Sequence, residues 1–60
     1  VISYADQLAC VVRELAMRRR VYPRWVESGK MTQAKADLEI RAMEAVAETL
    51  RGLELGDRLL

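Results

Sequence analysis

The chain reads as an all-α protein, an antiparallel hairpin of two helices, and three observations say so. Apolar residues recur at helical spacing in two long stretches. A capping-type residue stands before each stretch: Ser3 and Thr32. Between the stretches lies Gly29-Lys30-Met31, which supplies the glycine that a helix end and a tight reversal need. The expected boundaries are helix 1 over about 3–28, a turn at 29–31, helix 2 over about 32–53, and a frayed tail at 54–60. All 60 residues form one domain.

Helix 1 starts at Ser3, with Asp6 three residues on in the place a capping box gives to Glu. At about 100° per residue, Tyr4, Leu8, Val11, Val12, Leu15, Tyr22 and Val26 share a face. The series 4-8-11-15-18-22-25 also alternates steps of four and three, the spacing of a helix–helix seam. Pro23 lacks an amide donor and disfavours helical geometry at Tyr22, so helix 1 is expected to be kinked or broken near Pro23. Gly29 suits a left-handed cap.

Helix 2 is expected to open at Thr32, with Met31 and Ala36 placed for a weak hydrophobic staple. Ala36, Ile40, Met43, Ala47 and Leu50 form its central stripe. Leu38, Ala42, Ala45, Val46 and Leu53 widen the apolar surface beyond what one neighbouring helix covers. Asp37, Arg41, Glu44, Glu48 and Arg51 occupy a narrow opposite strip, several at spacings that allow pairing along the helix. Gly52 and Gly56 weaken the end of the pattern.

Composition narrows the chemistry. A chain this short is marginally stable alone, and folds of this size usually add a disulfide, a metal or a partner. One cysteine, Cys10, allows no internal disulfide, and the sequence has no histidine. A lone thiol without a base is a poor nucleophile, and the carboxylates Asp37, Glu39, Glu44 and Glu48 lack a second cluster to complete a metal site. The expectation is a non-enzyme with no cofactor and no metal. The remaining stabiliser is self-association, with dimerisation into a four-helix bundle through Leu38, Ala42, Ala45, Val46 and Leu53. No apolar run reaches the length of a membrane span, no signal-peptide pattern is present, and the unpaired thiol fits a cytoplasmic setting.

Charge is unevenly spread. Residues 1–30 carry six basic and three acidic side chains, and residues 31–60 carry four and six, so the halves are +3 and −2. Arg13, Arg18, Arg19, Arg20, Arg24 and Lys30 gather toward the end of helix 1, where they complement the helix dipole. Arg19 falls on the main apolar face, where it either snorkels or meets Glu39. Arg13, Arg18, Arg20 and Arg24 are the candidate nucleic-acid contacts, since guanidinium groups fork onto phosphate. Tyr22-Pro23-Arg24-Trp25 either plugs the end of the hairpin or forms a recognition hot spot. The candidate partner-binding residues are Met17, Arg20, Val21, Tyr22, Arg24 and Trp25.

Leu8-Ala9-Cys10, the segment from Arg13 to Arg18, Val21-Tyr22-Pro23-Arg24-Trp25-Val26, Gly29-Lys30-Met31-Thr32 and Glu39-Ile40 carry a resemblance. Together they resemble a family of small uncharacterised proteins encoded by proteobacterial phages and prophages. The resemblance covers roughly residues 4–50. It implies a phage or prophage origin and a location in the host cytoplasm, and it assigns no activity to any residue. The expected function is a module that binds and modulates another protein, a host or phage protein. The alternatives are a small nucleic-acid-binding hairpin dimer and a structural assembly factor of a phage particle.

Overall fold

Two helices and one turn account for the chain, described over residues 1–59 in a computed structural model. Helix α1 spans Tyr4–Glu27 and helix α2 spans Gln33–Arg58. They pack against each other in a rod of 47 × 16 × 15 Å. Its radius of gyration is 14.0 Å, against about 10 Å for a compact domain of this length.

The ends of both helices follow from the side chains placed there. Ser3 Oγ accepts from the Asp6 amide at 3.1 Å, and Thr32 Oγ1 accepts from the Lys35 amide at 3.1 Å. Each satisfies one of the donors that a helix start leaves open. At the turn, the Gly29 amide donates to the Val26 carbonyl at 3.1 Å and the Lys30 amide to the Trp25 carbonyl at 2.8 Å. That pair of bonds is a Schellman motif, and it requires the left-handed backbone that Gly29 adopts, with φ of +82°.

α1 runs through Pro23 as a single helix, so the break allowed by the sequence does not occur. Proline leaves only the Arg19 carbonyl without its usual donor. Pro23 is itself exposed, and water can serve that carbonyl on the open side. Tyr22 and Val26 on either side keep their place in the seam, and this holds the helix in phase.

α2 extends to Arg58, past the end expected near residue 53. The expected fraying from residue 54 is replaced by helix through Gly52 and Gly56, and Leu60 lies outside the described residues. Glu54 and Arg58 pair at 3.4 Å across one turn, and the Leu59 amide closes on the Leu55 and Gly56 carbonyls. A Cβ added to Gly52 meets nothing within 4 Å. Gly52→Ala is therefore expected to stabilise the hairpin by about 0.5–1 kcal/mol, through helix propensity alone. A thermal melt by far-UV circular dichroism checks this; an unchanged or lower midpoint contradicts it.

The core is a single seam. Leu8, Val11, Leu15, Arg18 and Tyr22 of α1 line it at alternating three and four steps. Ala36, Ile40, Met43, Ala47, Leu50 and Glu54 line it on α2 with the same alternation. Among the described residues, only Leu15, Tyr22, Ala36 and Ala47 are buried. Tyr4 and Val12, expected on the buried face, are exposed: Tyr4 sits in the first turn and Val12 at the edge of the seam. Among the described residues, no helix is long and apolar enough to cross a membrane.

Candidate interaction surfaces

The clearest local device is an arginine in the apolar seam. Arg18 Nη1 donates to the Glu39 carbonyl at 3.0 Å, and its Nε pairs with Glu14 at 3.2 Å. The Glu39 carboxylate stands 3.6 Å from Nη1 and is held in turn by Lys35 at 3.0 Å. The Arg18 side chain keeps only 17% of its exposure. Its guanidinium lies over the Tyr22 ring, 5.8 Å from the centroid. Tyr22 stacks on Trp25 with centroids 5.5 Å apart and planes 26° off parallel. One guanidinium thus links the α2 backbone to an aromatic pair on α1. Offset stacking and cation–π contact each contribute about 0.5–1.5 kcal/mol.

This geometry corrects the reading of Arg19. Arg18, and not Arg19, reaches Glu39, and Arg19 pairs with Glu44 at 2.7 Å on the outside of the seam. With both partners about half exposed, the Arg19–Glu44 pair contributes about 0.2–1 kcal/mol.

The aromatic segment divides into support and surface. Tyr22 is buried at 8% exposure, so it supports Trp25 and is not itself open to a partner. Trp25 remains 38% exposed. Arg20 and Arg24 are exposed, and Met17 and Val21 are half-buried. At about 100° per residue, Arg13, Arg20 and Arg24 form one outer ridge of α1 about 16 Å long, with Met17 in the same line. Among the described residues these three arginines enter no ion pair. Arg18, grouped with them as a candidate nucleic-acid contact, is turned inward and already paired.

The two broad faces of the hairpin differ. On one, Val12, Ala16, Arg19, Glu44, Glu48 and Arg51 surround a trough crossed by the Arg19–Glu44 pair. On the other, Ile2, Cys10, Val11, Val46 and Leu50 line an apolar trough of about 620 Å³ near the open end. The sequence reading missed this trough, because it joins the chain start to the middle of α2. Cys10 lies within it and is exposed. Leu38, Val46 and Leu53 stay 45–55% exposed, and Ala42 and Ala45 are exposed with them.

No protein-family model, curated protein or solved structure matches the chain.

Proposed function

We propose that the chain is a non-catalytic protein-interaction module of phage or prophage origin that binds and modulates another protein in the bacterial cytoplasm. Its working unit is a pair of hairpins packed as a four-helix bundle. The observation that carries the binding role is Trp25: a half-open indole stacked on buried Tyr22. Trp and Arg on a rigid support are the residue types that dominate binding energy at protein interfaces. Met17 and Val21 add apolar contact beside them. A bend of α1 at Pro23 belongs to the same proposal, since the Arg19 carbonyl has lost its donor there and the last turn that carries Trp25 can tilt.

Trp25→Ala is the test. The expected result is unchanged helix content together with about 30-fold weaker binding of the partner that co-purifies with the tagged protein. If helicity collapses as well, Trp25 is a structural plug and the proposal fails at this site.

A second reading is favoured by the Arg13, Arg20 and Arg24 ridge: contact with nucleic acid through phosphate. Such binding falls steeply with salt. Retention on heparin at low salt, lost when the three arginines are changed to Gln, supports it, and flow-through at low salt removes it.

A further inference from the structure

α2 carries two seams, and α1 fills only one of them. At about 100° per residue, Leu38, Ala42, Ala45, Val46, Thr49 and Leu53 fall within one arc of about 100° on its outer side. Positions 38, 42, 45 and 49 repeat the four-three-four spacing of the inner seam. Ala45, Val46 and Thr49 also line the apolar trough, so stripe and trough form one continuous surface.

The exposed area says how much is missing. The single hairpin exposes 4627 Å², whereas a compact monomer of its mass exposes about 3,950 Å². The excess of about 700 Å² is close to the roughly 800 Å² that each partner contributes to an interface of standard size.

We propose that a second copy of this chain docks antiparallel on this outer stripe of α2, about a twofold axis passing between Ala45 and Val46. The inference rests on the self-association stated above and adds its face, direction and register. In this register Leu38 meets the partner's Leu53, and Ala42 meets the partner's Thr49. The flanking charges suit this direction. Arg41 and Glu48 flank the stripe on one side; Lys35 stands in line with the stripe one turn before Leu38, and Asp57 lies on its other flank. The twofold axis places Arg41 beside the partner's Glu48 and Lys35 beside the partner's Asp57, each within about 3 Å of level along the helix. Each pair occurs twice. Within one hairpin, Arg41 and Asp57 enter no ion pair among the described residues.

The test uses the full chain with Cys10→Ser as background. Sedimentation at micromolar concentration is expected to give twice the monomer mass. Under mild oxidation, Ala45→Cys is expected to form a disulfide-linked dimer, because Ala45 lies beside the axis. Leu38→Cys is expected to stay unlinked, because its own copy lies at the far end of the stripe. Arg41→Glu is expected to weaken the dimer roughly tenfold through two lost pairs, with recovery in the Arg41→Glu/Glu48→Arg double variant. A monomer overturns both this inference and self-association. A dimer in which Leu38→Cys links as readily as Ala45→Cys, or in which neither links, overturns the register and leaves self-association standing.

Discussion

Ala47→Asp is expected to unfold the hairpin. Ala47 keeps 1% of its exposure and shares its surroundings with Leu15, Val12 and Ala16. A short carboxylate at this point cannot follow Arg19 out to solvent. An unpaired charge in such a place costs about 4 kcal/mol or more. A 60-residue fold holds only about 3–9 kcal/mol in all. The far-UV circular dichroism spectrum at 25 °C is the measurement. A variant that keeps its helicity and melts within a few degrees of the parent would falsify the assignment of Ala47 to the centre of the seam.

Tyr22→Ala is expected to be nearly as severe. It removes the second large buried side chain, the ring beneath the Arg18 guanidinium and the surface on which Trp25 stacks. Truncating a buried aromatic costs about 3 kcal/mol or more, equivalent to a melting point lower by about 12–24 °C in a domain this small. Trp25 is the only tryptophan, so its fluorescence reports the same event locally. The emission is expected to shift to the red even at temperatures where the remaining helix persists. Tyr22→Leu separates volume from stacking. It is expected to recover most of the melting point and little of the emission shift; full recovery of both would mean that the aromatic pair adds nothing beyond packing.

Much of this fold is written locally in the chain. The caps at Ser3 and Thr32, the reversal at Gly29 and the stripe Ala36, Ile40, Met43, Ala47 and Leu50 each depend on a few neighbouring residues, and pattern reading recovers them. The differences arise where a distant partner decides. Counting Val12 in the buried face drew its centre toward Arg19, whereas the facing helix lies on the Arg18 side. Which arginine enters a seam depends on a carbonyl 21 residues away, and sequence spacing alone does not see it. Position 18 did fall in the four-three series, and a charged residue at a seam position was the available signal. Gly52 and Gly56 read as a helix end on propensity, but each costs only about 1 kcal/mol, and pairing along the last turns carries the helix past them. At the candidate site, the residue types were legible and their division of labour was not: Tyr22 and Trp25 are three apart, yet one is covered and the other open.

The Schellman turn at Gly29 has a consequence for the order of assembly. It ties α1 to α2 through a few residues, so the inner seam closes at an effective concentration on the millimolar scale that short linkers impose. The outer stripe of α2, on which we propose that a second copy docks, has no tether, so that docking depends on the concentration the protein reaches. Two surfaces of one helix are thereby ranked in time and in dose. The hairpin forms at any dilution at which the tether acts, and the proposed second copy would join only as the protein accumulates.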